Sequence, residues 1–313
     1  MAVFTKLSSR EVKAIVNSYN FGVLKKYNGI KEGIENTNYL IQTTKGKFIL
    51  TIFEKRVRKK DVPFFVKLMQ QVDQKKFLCP KPLINKKNQS IFKIKGKLAI
   101  LVSFLSGKSK KNLTNKNIKT VGAQIAKFHQ ITSSLNIKRP NTLGYSNWLK
   151  IYKKIKWRKE DEKKEIKKYL DFYKKNKPKK LSTGIIHGDL FPDNIFFKNN
   201  KFSGLIDFYF SCNGSFIYEI AIMINALCFD KNKINKNKVK YLIQSYLKKR
   251  KISKNELGQL NIICLGAAIR FFLTRKYDLT NTPKNAHINK KDPKEYLYKM
   301  RYFYKNNGSK LHV

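Results

Sequence analysis

Acidic residues are scarce: the 313-residue chain carries 20 Asp and Glu against 68 Lys and Arg, a formal charge of +48. The four cysteines, Cys79, Cys212, Cys228 and Cys264, lie far apart with no C-x-x-C pair, so neither a disulfide framework nor a cysteine zinc site is expected. The four histidines (His129, His187, His287, His312) are equally dispersed, which argues against a histidine-rich metal centre. No stretch approaches the roughly 18 to 20 uninterrupted apolar residues of a membrane span. Residues 1–10 lack the apolar core of a secretory signal. A soluble, cytoplasmic protein without membrane attachment is expected. Arginine is scarce as well: only nine of the 68 basic residues are Arg, and the lysines are spread from end to end. Base readers favour the planar fork of Arg. With Asn and Ile also abundant, the excess of Lys is what adenine- and thymine-rich coding produces, and solvated faces are favoured over a specific nucleic-acid groove.

What is present suffices for a core, since 42% of residues are hydrophobic and 13% aromatic. Val12, Ile15 and Val16 share a face of a helix starting at Ser8 or Ser9. Residues 22–30, 37–44 and 47–53 are short, β-branched and punctuated by Gly, which predicts an antiparallel meander with a hairpin at Lys45-Gly46. A helix follows from Asp61, with Pro63 in its first turn, and then strands at 90–94 and 98–104. Beyond Gly107 the helical period dominates: one helix presents Val121, Ile125, Phe128 and His129, a charged helical region covers 148–173, and helices cover 216–227, 236–249, 256–275 and 293–304. Short β-like runs at 184–189, 194–198 and 201–208 interrupt them. The expected class is α+β and bilobal, with a small antiparallel-sheet lobe over residues 1–105 and a larger helical lobe over residues 106–313.

In so basic a chain a local excess of acid is informative. A window of 19 residues should hold about one carboxylate, yet the window from Asp189 to Asp207 holds three: Asp189, Asp193 and Asp207. His187-Gly188-Asp189 is followed by Asn194, and Ile206-Asp207-Phe208 comes 13 residues later. This is the layout H-x-D-x-x-x-x-N…D-F of a kinase-like catalytic loop and metal-binding turn. Phosphoryl transfer needs a carboxylate to orient a hydroxyl and accept its proton, the role expected of Asp189. It also needs hard oxygen ligands for Mg²⁺ bridging ATP phosphates, expected from Asn194 and Asp207. Asp193 reads as a turn-former, and His187 as an interior residue of the loop. Phe191 stands two after the base, where many protein kinases acting on Ser or Thr carry Lys, and the A-P-E signature is missing, so a small-molecule acceptor is favoured.

The whole chain resembles the aminoglycoside phosphotransferase and choline kinase group and, within it, the bacterial homoserine kinases. The stretches that carry this are 29–39 (GIKEGIENTNY), 53–57 (FEKRV), 187–197, 204–210 (GLIDFYF) and 268–275 (AIRFFLTR), with the start MAVFT also similar. The resemblance implies a protein-kinase-like fold and ATP-dependent phosphorylation of the L-homoserine hydroxyl, giving O-phospho-L-homoserine for threonine synthesis. Within the same fold, choline or an aminoglycoside is the alternative acceptor. A nucleic-acid-binding protein on a retired kinase scaffold is the alternative from another class.

The nucleotide lobe departs from the kinase pattern. Gly33 and Asn36 stand where a glycine loop would cover phosphates, and the phosphate-binding Lys would fall near Thr51, which carries no charge. Lys55 shares the side-chain parity of Thr51, with a surface position as the competing reading. Adenine is expected at the hinge, Ser103 to Leu105. A homoserine carboxylate needs a cation; Arg270 or Arg275 is the candidate, with an intramolecular salt bridge or surface exposure as the alternative. Glu219 is expected to support the catalytic region, and His129 to be a packing or capping residue.

Overall fold

The computed structural model describes residues 3–30, 36–54, 56–142, 144–281, 291–307 and 311. Gly33, Lys55, His287 and His312 lie outside these residues. The described chain divides into two compact units, one comprising residues up to Gly107 together with Ser203–Tyr209, the other comprising Lys108–Phe202 and residues from Phe210 onward.

In the first unit, Ser8 and Glu11 form a reciprocal capping box that starts α1 (Ser9–Asn17) and turns Val12, Ile15 and Val16 inward. A five-stranded antiparallel sheet follows, in the order β1 (Leu24–Ile30), β2 (Thr37–Thr43), β3 (Gly46–Ile52), β5 (Lys97–Ser103), β4 (Ile91–Ile94). Burial alternates along β2, so Tyr39 and Ile41 meet Leu50 and Ile52 of β3 and the apolar face of α1 in one core. The helix α2 (Val62–Gln74) carries Pro63 in its first turn, as expected, and buries Phe65, Leu68, Met69 and Val72.

The second unit begins with β6 (Lys108–Ser109) and α3 (Asn115–Ser133), the latter started by a Thr114/Asn117 capping box. The helical region expected over 148–173 is two helices, α4 (Tyr145–Lys154) and α5 (Glu160–Lys175). The break arises because Ile155 is buried in extended backbone, while the Trp157 indole donates to the carbonyl of Tyr152 at 3.1 Å. Glu160, Asp161 and Glu162 then favour the positive end of α5. The strands β7 (Thr183–Ile186), β8 (Ile195–Lys198) and β10 (Cys212–Ser215) follow, while β9 (Lys201–Leu205) starts in this unit and ends in the first; β10 pairs antiparallel with β7, and β6 with β8.

Next come α6 (Phe216–Leu227), a two-residue hairpin of β11 (Phe229–Asp230) and β12 (Lys233–Ile234), and α7 (Lys236–Leu247). The helix expected from 256 is also divided. A Ser253/Glu256 capping box starts the short α8 (Lys254–Gly258), and α9 (Leu260–Asn281) begins after it. The last helix is α10 (Lys294–Lys305). All four cysteines are buried. No described helix is long and apolar enough to cross a membrane.

Gly122 lies where α3 packs on α7: a Cβ there would lie 2.5 Å from the carbonyl oxygen of Leu242. Backbone cannot yield as a flexible side chain can. Gly122→Ala is expected to lower stability by about 1–3 kcal/mol, measured as a lower urea midpoint.

Candidate active site

The loop after β7 is built from its backbone outward. Gly188 adopts a left-handed φ of +81°, and a Cβ would come within 2.9 Å of the Phe210 carbonyl, so only glycine fits. Leu190 is buried, and Pro192–Asn194 forms a 3-10 turn that folds the chain back. Asn194 is thereby brought to Asp189: its Nδ2 donates to the Asp189 backbone carbonyl at 2.8 Å and to Oδ2 at 3.1 Å. Asp189 remains partly exposed. Burial raises its carboxyl above the ordinary range, opposed by the charges of Arg270, His187 and Lys291 and by the Asn194 hydrogen bond.

Beneath the loop lies Glu219 of α6, fully buried. Its Oε2 accepts from the His187 N–H at 2.8 Å and its Oε1 from the Gly188 N–H at 2.7 Å. The Nε2 of His129, on α3, is 3.0 Å from Oε2, and its Nδ1 is 2.8 Å from the Tyr246 hydroxyl of α7. Burial alone would raise the Glu219 carboxyl, but His129, the charge of His187 and the Gly188 N–H hold it below the usual range. Burial lowers His129, keeping the imidazole neutral. This fixes the tautomer: Nε2–H donates to Glu219 and Nδ1 accepts from Tyr246. Glu219 is thus the support expected of it, and His129 a buried packing residue that also bonds that support.

The two candidate arginines are already engaged. Arg270 is only 3% exposed, and its Nη1 donates to the Gly188 carbonyl at 2.8 Å, so it holds the catalytic loop from α9. Arg275 pairs with Glu295 at 2.7 Å and donates to the Asp292 carbonyl at 3.1 Å, which is the intramolecular salt bridge. These contacts run through Nη1 of each arginine, and the buried Nε of Arg270 has no hydrogen-bond partner. Two residues absent from the sequence expectations also act here. Arg139 donates to the Ser211 carbonyl at 2.8 Å, bracing β10, and Lys291 pairs with Asp193 at 2.9 Å while lying 5.1 Å from the Phe191 ring. The rarity of Arg in so Lys-rich a chain was the available signal for Arg139.

In the first unit, Asp207 follows β9 with a left-handed φ of +64°, uncommon for a non-glycine residue. Phe208 beside it is fully buried. The Tyr209 hydroxyl donates to Thr51 Oγ1 at 3.4 Å, and Thr51 donates to Asn38 Oδ1 at 2.8 Å. Tyr209 also packs edge-on against Phe53 and Phe65. Thr51, 2% exposed, therefore sits in a neutral hydrogen-bond chain where a kinase lysine was expected. Asn36 is buried, with Oδ1 accepting from the Glu54 N–H at 3.3 Å. At the hinge, Ser103 is spent on Lys81: its N–H donates to the Lys81 carbonyl and its Oγ accepts from the Lys81 N–H, both at 2.9 Å. Leu105 is half-buried.

A buried carboxylate under a loop carrying an Asp–Asn pair defines a phosphotransferase site of the protein-kinase-like α+β class. Residues 26–235 match the phosphotransferase enzyme family, and the chain belongs to it. The homoserine kinase of Agrobacterium fabrum is 42% identical over 307 residues, covering 96% of this chain and 95% of that protein. The homoserine kinase of Rhizobium etli is 40% identical over 314 residues, covering 99% and 98%. Among solved structures, the amicoumacin kinase hAmiN in complex with AMP-PNP, Ca²⁺ and Ami superposes with a TM-score of 0.75 at 14% identity, covering 97% of this chain and 95% of that one, a likeness of fold.

Glu219→Ala removes an acceptor from three N–H groups and is expected to cost about 3–5 kcal/mol in urea unfolding. Because the Glu219 carboxyl is depressed, its stabilisation is present above the ordinary carboxylate range and is lost as pH falls through its lowered value. Glu219→Gln should remove that part of the acid dependence, read from urea midpoints across pH 3–7.

Proposed function

We propose that the chain is an ATP-dependent homoserine kinase, transferring the γ-phosphoryl group to the side-chain hydroxyl of L-homoserine, a cytoplasmic step toward threonine. The observation that carries this is the near-full-length identity of about 40% to homoserine kinases, joined to the Asp189–Asn194 pair. Asp189 is the base. Its partly exposed carboxylate orients the acceptor hydroxyl and takes its proton as the hydroxyl oxygen bonds to the γ-phosphorus. The bond from that phosphorus to the β,γ-bridging oxygen breaks, and its electron pair leaves with ADP.

The donor set suits a hard divalent cation such as Mg²⁺. The Nδ2 of Asn194 is spent on Asp189, so its amide oxygen is the end offered to a cation, and Asp207 offers a carboxylate. Among the described residues no cluster of three or more His, Cys, Asp or Glu could hold a metal by itself. Mg²⁺ is commonly held by one or two protein oxygens together with substrate phosphates. When bound, the cation neutralises charge on the phosphates. The chain's own contributions are Arg270 and Glu219, which fix the loop backbone on either side of Gly188, and Asn194, which fixes the Asp189 carboxylate. For ATP, Leu105 is the hinge residue and Asn36 a phosphate contact; Thr51 acts through Asn38 and Tyr209.

The decisive experiment is a panel of acceptors with ATP and Mg²⁺, monitored as ADP formation: homoserine, choline, an aminoglycoside, and serine. Homoserine is expected to be phosphorylated with the highest kcat/KM; preference for choline or the aminoglycoside would overturn the assignment. Asp189→Asn should lower kcat at least about a hundredfold without lowering the thermal midpoint, since it removes a desolvated charge. The base must be ionised and its carboxyl is raised. The wild-type acid limb of kcat/KM should therefore fall at a pH above the ordinary Asp value of about 3.9.

A further inference from the structure

Three of the stretches that carried the family resemblance meet in one polar cluster that the catalytic step does not use. Glu54 follows β3, and its side chain is 8% exposed. Its Oε1 accepts from Thr5 Oγ1 at 2.6 Å and from Thr37 Oγ1 at 2.8 Å, and its Oε2 pairs with Lys97 Nζ. Lys97 Nζ also donates to Thr5 Oγ1 at 2.7 Å. Thr37 Oγ1 in turn accepts from the N–H groups of Phe4 and Thr5, at 2.9 and 3.1 Å. Two residues along β2, the Tyr39 hydroxyl donates to the Thr5 carbonyl at 2.9 Å and accepts from the Leu7 N–H at 3.0 Å. The N-terminal segment is thereby stitched to the start of β2, with one carboxylate at the centre.

A buried carboxylate is costly unless fully paired. Burial would raise Glu54, but Lys97, Thr5 and Thr37 more than offset it and hold the group below the usual range. The same residue reaches Asn36 through its backbone: the Glu54 N–H donates to Asn36 Oδ1, so the amide NH₂ of Asn36 is the end that can donate to an anion. At the β3 position where a kinase lysine would stand, Thr51 is neutral and tied to Asn38. A neutral amide contributes only if its direction is fixed, since hydrogen bonds weaken steeply when misaligned.

We propose that Glu54 is a positioning residue for the nucleotide: through Thr5, Thr37 and Lys97 it locks the start of β2 to the N-terminal segment, and so aims the Asn36 amide at a phosphate oxygen. This rests on the reading of the chain as an ATP-dependent kinase. Glu54 itself touches no substrate. Its effect is selective for the nucleotide, which a merely structural role would not be.

The test compares full-length wild type with Glu54→Gln, Thr37→Val, Lys97→Met and the Glu54→Gln/Lys97→Met pair. It measures AMP-PNP affinity by calorimetry, KM for ATP and for homoserine, and thermal midpoints. Glu54→Gln should weaken AMP-PNP binding and raise the KM for ATP by about tenfold, which corresponds to about 1.4 kcal/mol, with the KM for homoserine unchanged. The double variant should recover part of that loss, because neither charge is left alone. A folded Glu54→Gln with wild-type AMP-PNP affinity overturns the proposal, as does an equal loss for both substrates. If Glu54→Gln does not fold, Thr37→Val gives the same readout. A wild-type chain that binds AMP-PNP but phosphorylates no homoserine overturns the acceptor assignment alone, and the Glu54 comparison is still read from AMP-PNP affinity.

Discussion

The catalytic loop depends on one buried anion. Glu219 is fully buried, so its charge must be matched by donors the fold supplies, and two of these are consecutive backbone N–H groups of the loop itself. Those N–H groups have no freedom to turn without stranding the carboxylate. The third donor, His129, is held by Tyr246, so α3, α6 and α7 all bear on the direction in which Asp189 leaves the chain. From α9, Arg270 takes the Gly188 carbonyl. The two peptide units that flank the Gly188 Cα are thus fixed from different helices before any substrate arrives, which preorganises the loop for the role proposed for Asp189.

Much of this was legible because phosphoryl transfer imposes residue types at short spacings. Asp189, Asn194 and Asp207 stand out in an acid-poor sequence, and the turn that joins the first two is local. Glu219 was legible as a lone carboxylate in an otherwise apolar helix. Its partner His129 on α3, and the Tyr246 on α7 that holds His129, were not, because they are 90 residues away or lie across a helix packing that sequence period does not encode. The intramolecular partners of the candidate arginines were not legible for a related reason. An Arg in an apolar helix requires a partner, and the sequence gives no sign that this partner is a main-chain carbonyl or Glu295.

Errors in the secondary structure have the same origin. The break between α4 and α5 accompanies the Trp157 indole bond, and the Ser253/Glu256 box starts a separate short α8 whose C-cap is Gln259; both are short-range signals inside long charged or amphipathic runs. The strand β10 and the β11–β12 hairpin are four and two residues long, too short for periodicity to register. The +48 charge has become a statement about the exterior. Where charge is buried it is matched within the fold: Glu54 with Lys97, and Lys299 with Glu295 and the Asn225 carbonyl.

The burial of every thiol gives the folded chain a chemically quiet exterior. Burial pushes the Cys79 thiol up to about 12 and the Cys212 thiol up to about 11, and raises Cys228 and Cys264 as well, so at neutral pH none is both accessible and ionised. Cys79 belongs to the sheet-bearing unit and the other three to the helical one. Alkylation of these four sulfurs is therefore a built-in clock: the rate at which each is modified reports how often its own unit opens, without any label being introduced.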